Sequence, residues 1–320
     1  MTAAALTHIT PPGAVRAEAE AEALAEQIQE LAAKLVTSDC LLLMQPSERD
    51  DELSALFRQE LQAARLQTIR IRLRKLPESV WPFLVSLDLS SGTHAHLSQL
   101  AVRMTIEDMQ PKSLRAGRVQ RVCAWIFGSR GEPHRLAAQA LRRHPVRRKS
   151  CWVRFYDPMT VDCYSAICTS EQRAWWLKDV TAWAYRDRWG RLAVLTPPGG
   201  DEPAELPQLD EAAWRQLESI GALNQAWIKA RLRGIDIAPS RLQDTLHALG
   251  QVRLRGLQSP DDLDLFAWQA LQWGAQFHRH ALVEDLLRQA GPQAGYCALA
   301  QDVDEARWKQ VAAVSLPSPV

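Results

Sequence analysis

Thr196 to Asp210 reads TPPGGDEPAELPQLD. Prolines and glycines at this density remove backbone donors and favour turns, so neither a continuous helix nor a central strand fits here. The stretch is expected to be a linker over residues 196–209, and the chain obeys different periodicities on its two sides. Upstream, short apolar runs alternate with helical patterns. Downstream, strand signals stop. This break decides the fold reading: an α+β or α/β chain, with an N-terminal α/β lobe holding a mixed sheet and an all-helical C-terminal lobe.

Working upstream, the strand candidates are short and regularly spaced. CLLLM (Cys40–Met44), closed by Pro46, reads as a buried strand. TIRIRLRKL (Thr68–Leu76) alternates Ile69, Ile71 and Leu73 against Arg70, Arg72 and Arg74, the pattern of a half-exposed strand. FLVSLD (Phe83–Asp88), VCAWIF (Val122–Phe127) and the run from Ser150 to Tyr156 read as three more. AWAYRDRWGRLAVL (Ala182–Leu195) reads as a hairpin turning at Asp187 to Gly190. Between them, Leu53, Leu56, Phe57 and Leu61, then Leu97, Leu100 and Met104, then HRLAAQALRRH (His134–His144) carry helical spacing. Ser47 with Asp50, and Thr169 with Gln172, have the spacing of helix-capping pairs. Leu24, Ile28, Leu31 and Leu35 make an amphipathic opening helix, so residues 1–35 are expected as a helical extension to a lobe spanning 36–195.

Downstream, Asp210 opens a helix bearing Trp214, Leu217 and Ile220. Ser240 with Gln243 offers another cap, and Ser259–Pro260–Asp261–Asp262 places a cap, a first-turn proline and first-turn acids in order. Residues 210–320 are therefore expected to be helical throughout, with Trp214, Trp268 and Trp308 in the core.

The chain has 320 residues, 47% of them apolar and 23% charged, enough for two globular lobes. A net charge of +1 supplies no bulk field toward nucleic acid or membrane. The N-terminal residues lack a basic stretch leading into an apolar one, and no run approaches the roughly 18 apolar residues of a spanning helix. Six scattered cysteines suit free thiols in a reducing compartment. A cytoplasmic protein with no membrane and no nucleic-acid partner is the expectation.

Chemistry-bearing motifs are sparse. No glycine-rich phosphate loop, dinucleotide fingerprint or nucleophile elbow occurs, so neither a cofactor nor a catalytic residue is assigned. His94/His96 and His278/His280 have no third ligand at a typical spacing, so no metal is assigned. RRHPVRRKS holds Arg142, Arg143, Arg147, Arg148 and Lys149. A solvated helix end explains such a cluster. So does a surface for a phosphate, a nucleic acid or an acidic partner. The 12 tryptophans lean toward binding, because Trp and Arg anchor protein interfaces. In VRFYDPM, Arg154 lies in an apolar run that Asp157–Pro158 ends; an Arg154–Asp157 brace at the strand end is the economical account of a charge there.

The same residues carry a resemblance. VRFYDPMTVDCYSAICTSEQRAWWLKDVTAWAYRDRWGRLAVL (Val153–Leu195) is similar to the signature of the Tap/Tec-type adaptor chaperones of bacterial type VI secretion. Arg154, Phe155, Asp157 and Pro158 fall on its core, and Trp183, Asp187, Gly190 and Leu192 on its continuation. Relatives often carry a basic residue after Asp-Pro where this chain has Met159, and Gln45–Pro46 replaces their usual first-strand ending. The resemblance implies a non-enzymatic cytoplasmic adaptor that stabilises a type VI effector and helps load it onto the VgrG spike. Arg154, Phe155, Asp157 and Pro158 would be structural signature residues, and the 142–149 cluster a candidate partner-binding surface. Two alternatives stand beside it: an enzyme with a site around Arg154, Asp157 and His144, and a nucleic-acid binder using residues 142–149.

Overall fold

The computed structural model describes residues 12–47, 51–128, 133–199, 205–274, 276–291 and 294–315. In chain order the elements are α1 (Pro12–Lys34), β1 (Asp39–Met44), α2 (Glu52–Ala63), β2 (Thr68–Arg70), β3 (Phe83–Asp88), α3 (Gly92–Asp108), α4 (Pro111–Arg115), β4 (Val122–Phe127), α5 (Pro133–Ala140), β5 (Leu141–Arg143), β6 (Ser150–Trp152), α6 (Pro158–Ile167), α7 (Ser170–Trp176), β7 (Ala182–Arg186) and β8 (Leu192–Leu195). Helices alone follow among the described residues: α8 (Glu211–Leu232), α9 (Pro239–Leu254), α10 (Pro260–Trp273), α11 (Ala281–Gln289), α12 (Tyr296–Gln301) and α13 (Glu305–Ser315). With 56% helix and its six-stranded sheet confined to the N-terminal part, the fold is α+β with a helical C-terminal region.

The sheet runs β2-β3-β1-β4-β7-β8, and each of these neighbours pairs antiparallel, not mixed as the alternation of strands and helices suggested. The reason is topological. The β1–α2–β2 crossover leaves a gap that β3 fills, and β3–α3–α4–β4 straddles β1. Strands that would have paired in parallel are thus separated by an antiparallel one, the connectivity of a split β-α-β-β-α-β unit. The β7–β8 hairpin forms as its sequence predicted, and it extends the sheet at the β4 edge.

Register sorts the side chains. Leu42 stands opposite Val85 on one neighbour and Trp125 on the other, and Cys40 opposite Leu87 and Phe127. These residues form one core with Leu24 and Ile28 of α1, Phe57 of α2 and Leu97, Leu100 and Met104 of α3. Residues from α1 therefore complete the core; the helix packs on α3. Leu43, Leu84, Ile126 and Trp183 on the opposite face are buried as well. Burial on both faces is why β1 and β4 read as continuous apolar runs.

Elsewhere the local readings shift. In the TIRIRLRKL stretch only Thr68–Arg70 forms a strand, at the sheet edge, and Ile69 is exposed. Ile71 adds one hydrogen bond to the Pro82 carbonyl, and Ile71 and Leu73 turn inward beyond it. The expected strand from Ser150 to Tyr156 is also cut short. Ser150–Trp152 pairs with β5 in a separate two-stranded sheet, and Pro158 starts α6 just beyond. The helix expected over His134–His144 gives way at Leu141 to β5. Of the capping pairs, Thr169 and Gln172 form a reciprocal box: the Thr169 amide donates to Gln172 Oε1 at 2.8 Å, and the Gln172 amide to Thr169 Oγ1 at 3.2 Å. Asp50 lies outside the described residues, and α2 is capped by Asp51, which accepts from the Ser54 amide at 2.8 Å. Helix α9 begins before Ser240, with Pro239 in its first turn and Ala238 as cap.

Two compact units result. The first comprises Met1–Leu141, Tyr156–Pro158 and Ala174–Glu202, the second Arg142–Phe155, Met159–Arg173 and Pro203–Val320. The last boundary between them falls within the Pro/Gly stretch, as expected, but the second unit also takes two segments from upstream of it, so most of the β5–β6 region belongs with the C-terminal helices. In the second unit α8, α9 and α10 pack on one another. Asp210 caps α8 by accepting from the Ala213 amide at 2.7 Å. Phe266 lies 5.0 Å from Phe277 and 6.1 Å from Tyr296 between ring centroids, and the Tyr296 hydroxyl donates to Gln269 Oε1 at 2.6 Å. Trp214 and Trp268 are buried, and Trp308 stacks on Trp273 at 5.2 Å. Among the described residues no helix is long and apolar enough to cross a membrane.

Candidate partner-binding site

The basic segment 142–149 forms the end of the β5–β6 hairpin, and His144 organises it. The His144 amide donates to the Lys149 carbonyl at 2.9 Å, and the Arg148 amide to the His144 carbonyl at 3.0 Å. Inside the turn, His144 Nδ1 accepts from the amides of Val146 and Arg147, both at 3.2 Å. An Nδ1 that accepts leaves the ring proton of the neutral form on Nε2. Arg148 adopts a left-handed conformation with φ at 54°, an uncommon backbone for a side-chain-bearing residue that these hydrogen bonds hold. The turn is thus closed by hydrogen bonds to its own imidazole and backbone.

A carboxylate on α8 fastens it. Glu218 Oε1 lies 2.9 Å from Arg147 and Oε2 2.9 Å from Arg253 at the end of α9, while His144 Nε2 faces Glu218 at 3.6 Å. The His144 ring rests against the Trp214 indole with centroids 4.8 Å apart. Trp214 and Glu218 are one helical turn apart on α8, so they share a face. Neither Glu218 nor Arg253 belonged to the candidate set. Their separation of 35 residues hides the pair, although the Trp214–Glu218 spacing is visible.

The five basic candidates do not form one surface. Arg142 is 2% exposed and donates to the Pro207 carbonyl, so it braces the second unit and is removed from the partner surface. Desolvating a guanidinium demands such a carbonyl or a counter-ion. Arg143, Arg147, Arg148 and Lys149 are exposed.

The signature residues sit elsewhere. Phe155 is 0% exposed, its ring 5.7 Å from Tyr164 on α6. The Arg154 guanidinium lies 5.7 Å from the Trp152 ring centroid, a cation–π distance. Asp157 is buried, and Pro158 opens α6, where its missing N–H is no loss. Arg154 and Phe155 belong to the second unit, Asp157 and Pro158 to the first. Of the paired histidines, His94 Nδ1 accepts from the Asp88 amide at 2.9 Å, and His280 Nδ1 from the Leu282 amide at 3.2 Å at the start of α11.

The first unit contains a buried ion cluster that no motif announced. Arg121, at the entry to β4, is 1% exposed. Its guanidinium donates to Asp108 at 2.8 Å, Asp51 at 2.8 Å, Glu107 at 2.7 Å and the Ser54 hydroxyl at 2.6 Å. Its backbone amide also donates to Asp108 at 2.6 Å. Burial alone would lower the Arg121 pKa, but Asp108 and then its other acceptors raise it. Burial likewise pushes the Asp51 carboxyl up, yet the Ser54 amide and hydroxyl and the Arg121 charge outweigh this and hold it below the ordinary carboxylate value. The cluster joins the start of α2, the end of α3 and β4. It is a structural junction.

No family model, curated protein or solved structure matches this chain.

Proposed function

We propose that this protein is a non-catalytic adaptor chaperone of the Tap/Tec type. In this reading it holds a type VI secretion effector in the bacterial cytoplasm and helps load it onto the VgrG spike. The observation that carries the reading is how the signature is used. Phe155 is wholly buried on Tyr164, and Asp157–Pro158 begins a helix. These residues shape the interior, whereas the chemistry turned outward is a cationic turn held by hydrogen bonds to its own imidazole. That division of labour suits a binding protein, because a pre-ordered surface loses little entropy on association.

The test is co-purification of the tagged full chain with the products of its neighbouring genes, any VgrG among them. The expected result is co-elution with an effector that is insoluble when expressed alone. A chain that elutes alone, and leaves each neighbour's solubility unchanged, overturns the reading.

A further inference from the structure

The turn and the helix ends beside it enclose a cleft of about 330 Å³. Two of its walls are unusual for a solvated surface. Val146, at the tip of the turn, is 64% exposed, and Leu254, the last residue of α9, is 60% exposed. Large aliphatic side chains left this open in the lining of one concavity provide apolar anchor points. The lining also carries Arg147, Arg215 and Arg253 against Glu211 and Glu218, three positive charges to two negative. These groups pair with one another, Arg215 with Glu211 at 2.9 Å and Arg147 and Arg253 with the shared Glu218, and leave one positive charge in excess. Arg143, Arg148 and Lys149 of the same hairpin, and Arg255 next to Leu254 in the chain, are exposed as well and add positive charge to these two segments.

We propose that this cleft is the docking site for an acidic peptide segment of a partner protein, one in which carboxylates flank an aliphatic side chain. The inference rests on the adaptor reading for the partner's identity, but its chemistry comes from the cleft. Charge complementarity selects acidic residues, since guanidiniums bind carboxylates through two parallel hydrogen bonds. The apolar pair selects a protein segment over a nucleic acid, whose uniformly charged backbone offers no aliphatic group to Val146 and Leu254. Ordering by His144 means that the turn is not rearranged on binding.

The test uses fluorescence polarisation with the full chain and the labelled peptide Glu-Asp-Leu-Glu-Asp-Leu-Glu-Asp. Its basic counterpart, with Lys and Arg at the charged positions, and single-stranded oligo(dT) serve as competing probes. The acidic peptide is expected to bind saturably and to weaken with added salt. Arg147→Glu, and separately the doubly substituted Val146→Ser/Leu254→Ser chain, are each expected to lower its affinity about tenfold or more. Because Arg147 also pairs with Glu218, the aliphatic variant tests the site with that ion pair intact, and thermal melting verifies folding. Absence of saturable binding, equal binding of the basic peptide, tighter binding of oligo(dT), or unchanged affinity in the aliphatic variant overturns the proposal. The two readings fail separately. An effector that still co-purifies with the aliphatic variant removes this docking site and leaves the adaptor. Acidic-peptide binding that the variants abolish, in a chain that holds no effector, removes the adaptor and leaves the site.

Discussion

Arg121 shows how much one side chain can carry. Its partner Asp108 is 0% exposed, so Arg121→Met would leave a carboxylate inside the first unit without its counter-ion. Breaking a buried pair in this way costs about 3–5 kcal/mol, so chemical denaturation should show a loss of that order. Adding Asp108→Asn to the same chain should recover part of it, because the stranded charge is gone. Acid should attack the same junction. Asp51 is held below its ordinary value in the folded chain, so its contribution is complete above the unfolded carboxylate range. That contribution fades as pH falls through the lower folded value. Asp51→Asn is therefore expected to melt lower at neutral pH and to lose less on acidification than the parent, as read by melting temperature against pH. Equal acid slopes would show that other carboxylates dominate. Nothing in the neighbourhood of Arg121 in sequence forecasts this cluster, because Asp51 lies 70 positions away and meets it only through the crossovers of the sheet.

At the scale of elements, the β5–β6 hairpin depends on Glu218 of α8. Glu218→Ala removes the acceptor shared by Arg147 and Arg253 and leaves the latter, mostly buried, without a carboxylate. Hydrogen bonds to charged groups contribute about 1.5–3 kcal/mol. The exposed Arg147 bond belongs below that range, so the expected loss comes chiefly from Arg253. The informative readout is hydrogen exchange: the Val146 and Arg147 amides should exchange faster while those of β1 and β4 keep their protection. Unchanged exchange in the turn would mean that His144 alone holds it. The hairpin also shows which elements were legible. β7–β8 and the Thr169–Gln172 box could be read because their determinants are local: a turn with Gly190 at φ 89°, and a cap three residues from its partner. β6 reads as a strand, only too long, but β5 does not, because Leu141–Arg143 continues a helical pattern and pairs with residues beyond a turn whose order comes from one imidazole. Of the candidate surface, the exposed arginines were legible as a cluster, whereas the inward turn of Arg142 toward Pro207 depends on a carbonyl 65 positions away.

For the whole molecule, the linear division at the Pro/Gly stretch and the spatial one have different consequences. The stretch read as an obvious boundary, and a two-domain chain joined there would separate into a strand-bearing piece and a helical piece. The second unit instead takes Arg142–Phe155 and Met159–Arg173 from upstream of it. Those segments are tied to residues downstream: Arg142 to the Pro207 carbonyl, Gln172 Nε2 to the Gln208 carbonyl at 2.6 Å, and Arg147 to Glu218. A specific protease site inserted between Gly199 and Gly200 tests which division governs. After cleavage the two pieces are expected to co-elute as one species of unchanged size, to melt within a few degrees of the uncut chain, and to part only in denaturant. The larger piece expressed alone should be insoluble or rapidly proteolysed, because its β5–β6 hairpin would lack Trp214 and Glu218 of α8, against which it packs. Pieces that separate cleanly and stay folded would show instead that residues 142–173 fold without α8 and α9, and that Glu218 and Pro207 only decorate a hairpin that is stable without them.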